Sequence, residues 1–167
     1  MRAEGPSAAL HDVALSLARR PDVVEFARAL VGRYHARDRI GRLSALFTFV
    51  AHLVDVPPPV PGEPRDGVDV LVALAGEDEG PAVILAALLL ALGERAGVGF
   101  APGLAFVRVE VQAADLSRLP PWAGLMATRG RTYLLLDPRR ARTPLGLLPR
   151  LVRRSLIVRR GPSASGS

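Results

Sequence analysis

Four carboxylates stand where acid–base or metal chemistry could be organised. Glu77, Asp78 and Glu79 run together just ahead of Pro81 and the apolar stretch Ala82–Leu92, and Asp137 precedes Pro138 at the end of another apolar run. Carboxylates share general acid and base work when their surroundings split their pKa values. Asp78, Glu79 and Asp137 are therefore the candidates for a carboxylate hydrolase. The simpler reading of the triplet is a solvated helix start, because acids suit the positive end of a helix and proline suits its first turn. Asp137-Pro138 likewise reads as a turn former. Metal sites want several ligands on rigid elements, and no histidine stands near the triplet. His11, His35 and His52 all lie before residue 53 and lack ligand spacing. Neither a metal nor another cofactor is expected. The chain contains no cysteine, which excludes a thiol nucleophile, a disulfide framework and a cysteine-ligated zinc.

Basic chemistry gathers near the C-terminus. Arg139, Arg140, Arg142, Arg150, Arg153, Arg154, Arg159 and Arg160 occur there without one acid among them. The net charge is +6, so the rest of the chain is slightly acidic. Such a segment, interleaved with leucine and valine, could meet an acidic protein surface, nucleic acid or an anionic membrane. No aromatic lies among these arginines, which disfavours base stacking, and Pro144 and Pro149 interrupt any long helix on a membrane. Docking to a protein partner is the preferred reading, with nucleic acid as the alternative. Lysine and asparagine are missing altogether. The bias toward arginine, alanine, glycine and proline reads as a GC-rich genome, so an arginine count alone argues little.

The elements that must position these residues follow from periodicity. Residues 1–9 read as frayed, and a helical pattern runs from about Leu10 to Arg20 with Val13, Leu15 and Leu17 among its apolar positions. Pro21 opens a second helix in which Val23, Phe26, Ala27, Leu30 and Val31 form one face, reaching roughly to His35. Asp38 caps a third, with Ile40, Leu43, Leu46, Phe47, Val50, Leu53 and Val54 as a wide apolar stripe. Pro57 to Asp66 is a proline-rich connector, and Val68–Leu74 is a helix turn or a strand. Ala82–Leu92 is apolar on every side, as the buried central helix of a domain would be, and Gly93 suits its exit. Val98–Phe100 is a strand candidate, and Leu104–Gln112 alternates with period two. Leu116–Gly130, which holds the single tryptophan Trp122, is an irregular excursion. Arg131–Leu136 is a strand stopped by Asp137-Pro138.

This order predicts an α+β fold, with N-terminal helices and a buried central helix packed on an antiparallel β-sheet. Its expected divisions are N-terminal helices over 1–37, a core over 38–138, a basic segment over 139–160 and a flexible tail over 161–167. At 167 residues and 49% hydrophobic content, one ordinary core is affordable. With aromatics at 5%, that core must be built from alanine, leucine and valine. The N-terminus lacks the basic-then-apolar pattern of a signal peptide. The Ala82–Leu92 run is about half the roughly 20 residues that span a bilayer. The expectation is a soluble, cytoplasmic protein without a transmembrane segment.

Four segments, in order, carry a family resemblance. Gly76-Glu77-Asp78-Glu79-Gly80-Pro81 followed by Ala82–Gly93 resembles the signature of bacterial transglutaminase-like proteins, in which a Gly-Asp-Cys turn opens a buried helix ending in Leu-Leu-x-Ala-Leu-Gly. Asp38–Val56 and the proline-rich loop look like that family's preceding helix and its tyrosine-x-proline connector. Leu104–Val111 is similar to its His-x-(Trp/Phe)-Val-x-Val strand, and Arg131–Pro138 resembles its last catalytic strand, ending in Leu-Asp-Pro. The resemblance covers about residues 38–138 and implies a papain-like core with a Cys-His-Asp arrangement. Carried over position by position, the cysteine falls on Asp78, the histidine on Leu104 and the aspartate on Asp137. A carboxylate near its normal pKa is a poor acyl acceptor, and leucine cannot move protons. The resemblance thus implies a member with no catalytic residues: an inactive domain reused as a protein-binding or assembly module. A structural part in a large bacterial or phage-related particle would suit it. The cleft between the Asp78 turn and the strand at Leu104 is a candidate peptide groove. The sequence leaves the oligomeric state open.

Overall fold

The structure, a computed structural model, describes residues 6–55, 62, 66–101, 103–139, 144–148 and 158–160, with the backbone alone for residue 6 and for 158–160. Short polar side chains and prolines set the helix starts. The Asp38 carboxylate accepts the Gly41 N–H at 2.6 Å at the head of α3 (Arg39–Leu53), and Asp66 accepts the Asp69 N–H at 2.8 Å at the head of α4 (Gly67–Leu74). Pro21 sits in the first turn of α2 (Pro21–Arg33), with Asp22 beside it. Asp22 also accepts the Gly67 N–H at 2.5 Å, which ties the starts of α2 and α4 together. That bond, with Arg20 alongside, holds the Asp22 carboxyl below its ordinary pKa.

The first helix departs from its expected start. Helix α1 spans Pro6–Ala18, so it begins inside the stretch read as frayed. Its buried stripe is Ala14, Leu17 and Ala18, while Val13 is 43% exposed. Residues 14, 17 and 18 keep the 3–4 spacing of one helix face, and residue 13 lies at its solvent-facing edge. The ambiguous Val68–Leu74 stretch is helical, as most of α4.

Helix α5 (Gly80–Ala91) is the centre of the molecule, buried from Gly80 through Leu89. It has no polar face, and every side finds a partner in α1, α2, α3, α4 or the sheet. Gly80 makes its start fit: a Cβ there would lie 1.6 Å from the carbonyl oxygen of Leu74. Gly93, at φ +83, ends it, with Gly93 N–H bonded to Leu90 and Glu94 N–H to Leu89. These two bonds form the Schellman arrangement that left-handed glycine permits.

The chain then turns to strands: β1 (Ala96–Ala101), β2 (Leu104–Val111), β3 (Gly124–Thr128), β4 (Arg131–Leu136) and β5 (Val158–Arg160), with the short α6 (Ala113–Leu116) between β2 and β3. The sheet order is β1-β2-β4-β3-β5, and every neighbouring pair is antiparallel. The α+β fold, with helices packed on an antiparallel sheet, is as the order of elements predicts. Val107, Val109 and Val111 of β2 and Leu134 and Leu136 of β4 face α5 in one continuous core. Leu104, Phe106 and Leu135 face the other way and are covered by Leu148.

Two parts of the chain differ from their expected form. The excursion Leu116–Gly130 contains β3, whose Gly-Leu-Met-Ala-Thr composition carries little β signal. It is a strand because β4 and β5 flank it. The turn joining β3 to β4 is Arg129-Gly130, with φ +49 and +74. Both values suit the two-residue hairpin turn that usually announces itself as Asn-Gly, a pair this chain lacks. The segment after Pro138 comes back onto the sheet twice. Residues 144–148 bring Leu148 to its outer face, and Val158–Arg160 pair with β3 as β5. Residues 161–167, read as a tail, lie outside the described residues. No described helix is long and apolar enough to cross a membrane.

Candidate functional site

A cleft of about 460 Å³ opens at the N-terminal end of α5. Asp78 and Glu79 form one side. Phe100, Ala101, Gly103, Leu104 and Ala105, from the β1–β2 hairpin, form another, and Arg139 closes the third. The pieces meet because α5 lies on the sheet with its start at the hairpin end. Gly103, at φ +71, provides the tight return that carries the chain from β1 into β2.

Asp137 belongs to this end of the sheet but is removed from solvent, with 2% of its surface exposed. Its Oδ1 accepts the Arg139 backbone N–H at 3.2 Å and the Arg139 Nε–H at 3.0 Å, and its Oδ2 accepts Arg139 Nη2 at 3.4 Å. Arg139 Nη1 donates in turn to the carbonyl of Gly103 at 3.2 Å. One guanidinium therefore neutralises the buried carboxylate and braces the hairpin, leaving about a third of the arginine side chain facing outward. A buried carboxylate without this partner would be costly. Glu77, Asp78 and Glu79 are all exposed, and none of their side chains caps α5.

The structure thus brings Asp78, Glu79, Leu104 and Arg139 around one cleft, with Asp137 held behind Arg139. The histidines line a different set of surroundings. His11 of α1 lies against β1, its Nδ1 buried and without a hydrogen bond among the described residues. His35 follows α2 in a left-handed conformation, and His52 is exposed with Nδ1 2.7 Å from the Thr48 carbonyl. Among the described residues, no three His, Asp or Glu side chains are grouped to hold a metal. Of the arginines near the C-terminus, Arg139 serves Asp137, and Arg159 and Arg160 belong to β5. Arg140, Arg142, Arg150, Arg153 and Arg154 lie outside the described residues.

A second polar centre was not expected. Arg39, the first residue of α3, donates Nε–H to Glu94 at 3.0 and 3.2 Å and Nη2–H to Glu94 at 2.5 Å. It also donates to the carbonyl of Glu110 at 2.6 Å and to the Asp115 carboxylate. The hydrogen bonds and charge of Glu94, reinforced by Asp115, raise the Arg39 pKa above its ordinary value despite partial burial. One guanidinium so joins α3 to the turn after α5, to β2 and to α6. The available signal is a cation in the first turn of a helix, where the dipole disfavours it. That placement calls for carboxylate partners elsewhere in the chain, and sequence cannot say which. Comparison with known protein families, curated proteins and solved structures yields no match to this chain.

Proposed function

We propose that the protein is a non-catalytic binding module on a frame resembling the transglutaminase-like core, used in protein binding or assembly. The observation that carries this is the Asp137–Arg139 pair. At the position where the family keeps an aspartate to orient a histidine, the carboxylate is buried and its two oxygens are taken by three Arg139 donors. The neighbouring Leu104 can neither accept nor return a proton, and Asp78 is a solvated carboxylate. Convergence of Asp78, Leu104 and Arg139 on one cleft, from segments far apart in sequence, supports the retained frame.

What remains is a groove with an acidic lip, an apolar hairpin wall and one partly exposed guanidinium. Such a groove suits an extended peptide bearing a basic side chain opposite Asp78 and Glu79, with a backbone carbonyl toward Arg139. The arginines beyond Pro138 supply a second contact, to an acidic surface on the same partner. A large bacterial or phage-related particle would provide both surfaces together. A carboxylate hydrolase gains no support, because two of its carboxylates are in solvent and the third is paired.

The test has a chemical and a binding arm. Glutaminyl peptides, amides and activated esters should show no turnover above background. Turnover abolished by Asp78→Asn would overturn the proposal. Affinity capture from the native host should retain a partner that is released at high salt. Loss of that partner is expected both in a variant with Arg140, Arg142, Arg150, Arg153 and Arg154 changed to glutamine and in Asp78→Asn/Glu79→Gln. Capture unaffected by either set would remove both contacts from the account.

A further inference from the structure

The outer face of the sheet carries a second recess, of about 550 Å³, lined by Arg108, Thr128, Arg129, Arg131 and Tyr133. These residues come from β2, β3, β4 and the β3–β4 turn, so no sequence window shows them together. Register explains their meeting. Glu110 lies opposite Tyr133, Thr128 opposite Arg131, and Arg108 is two residues from Glu110 on the same face. Three guanidinium groups and two hydroxyls thus line one depression.

Their charges are unevenly met. Arg131 reaches Glu110 at 3.4 Å, and the same carboxylate is shared with Arg95 at 3.5 Å. Among the described residues, neither Arg108 nor Arg129 has a carboxylate partner. A GC-rich genome accounts for arginine in place of lysine, but not for three arginines on one recess with threonine and tyrosine. Like charges lining one recess repel, and a multivalent anion relieves that repulsion. Guanidinium forks match phosphate oxygens, and hydroxyls add donors.

We propose that this recess is a binding site for a small ligand recognised by a diphosphate group. Two features set the size. The recess holds more than one phosphate, and its three guanidinium groups come from β2, β4 and the β3–β4 turn, so two linked phosphates supply oxygens enough to meet them. The Tyr133 ring already has the Arg108 guanidinium 5.5 Å from its centroid, so that ring is engaged as a cation–π partner rather than open as a base-stacking platform. A nucleic-acid strand, recognised through stacking and repeated phosphates, is the less suited occupant.

The experiment titrates the full-length protein with inorganic pyrophosphate at physiological salt, by calorimetry, with decathymidylate in parallel. One saturable pyrophosphate site per chain is expected. Arg108→Gln and Arg131→Gln should each weaken it at least tenfold, and Tyr133→Phe about threefold. Arg28→Gln, an exposed arginine on α2, should leave it within twofold. Arg129→Gly removes a guanidinium while suiting the left-handed turn, so its loss of binding cannot be blamed on unfolding. The proposal is overturned by absence of saturable binding, or by equal weakening in Arg28→Gln. It is also overturned if decathymidylate binds more than tenfold tighter than pyrophosphate through the same arginines. Because these residues lie outside the α5 cleft, this outcome is independent of the peptide-groove test.

Discussion

At the scale of single residues, the polar groups with the largest structural role are two arginines that each hold buried acid. Arg139 closes on Asp137, and Arg39 closes on Glu94 and Asp115 with the Glu110 carbonyl as third partner. The Arg39 group is mostly shielded from water, with Glu94 and Asp115 side chains nearly buried. Its removal therefore leaves two carboxylates facing each other without a counter-charge. Arg39→Met should cost about 4 kcal/mol, as for other broken buried pairs, and lower the melting temperature by roughly 10 °C. Adding Glu94→Gln and Asp115→Asn to that variant should restore part of the loss, because the uncompensated charge goes with them. A loss under about 1 kcal/mol, typical of a solvent-screened surface pair, would show that the cluster contributes little.

At the scale of elements, α5 decides the architecture, and its first residue decides whether α5 can be seated. A helix gains up to about 1 kcal/mol when glycine becomes alanine. At Gly80 that gain is overwhelmed, because the new Cβ would meet the backbone oxygen of Leu74, which no rotamer can move. Gly80→Ala should cost about 3 kcal/mol or more, by the forced separation of α4 from α5. Gly76→Ala, four residues earlier and with open space around it, should change stability by less than about 0.5 kcal/mol. Chemical denaturation of the pair separates a steric requirement from a general intolerance of this loop. Equal effects would refute the steric account.

At the scale of the whole molecule, the two sides of the sheet differ in what covers them. Among the described residues, the inner side packs on α5 in a continuous core, whereas the outer side is covered at one end by Leu148 and lined by arginines at the other. Leu85, at the centre of α5, is completely buried. Leu85→Ala should cost about 4 kcal/mol and Leu148→Ala about 2 kcal/mol, since the smaller cluster can collapse toward its missing side chain. Truncation after Pro138 should cost more than Leu148→Ala, because it also removes the Gly146 carbonyl that accepts the Gly124 N–H at 2.8 Å and the whole of β5. Thermal unfolding checks the order. A truncated chain as stable as the full one would show that the C-terminal segment is an appendage. For that reason arginine substitutions, rather than truncation, are the proper probe of docking.

Much of this fold is written in local pattern. The Asp38 cap, the all-round apolar run that becomes α5, its Gly93 exit, the alternation in β2 and the Asp137-Pro138 stop are all readable from neighbours within a few positions. The missing cysteine restricts the chemistry by residue type alone. Tertiary structure decided the rest, because the partners come from far along the chain. β3 is a strand by virtue of its neighbours, Arg39 finds Glu94 and Asp115 across more than fifty residues, and Asp137 is paired with an arginine whose reach sequence does not reveal. The basic recess is the clearest case. Arg129, Arg131 and Tyr133 lie in one short run, and antiparallel register adds Arg108 from β2 to the same depression. Residue types and local periodicity thus determined the helices, the main strands and the absence of thiol chemistry, whereas pairing over long separations decided which charges meet.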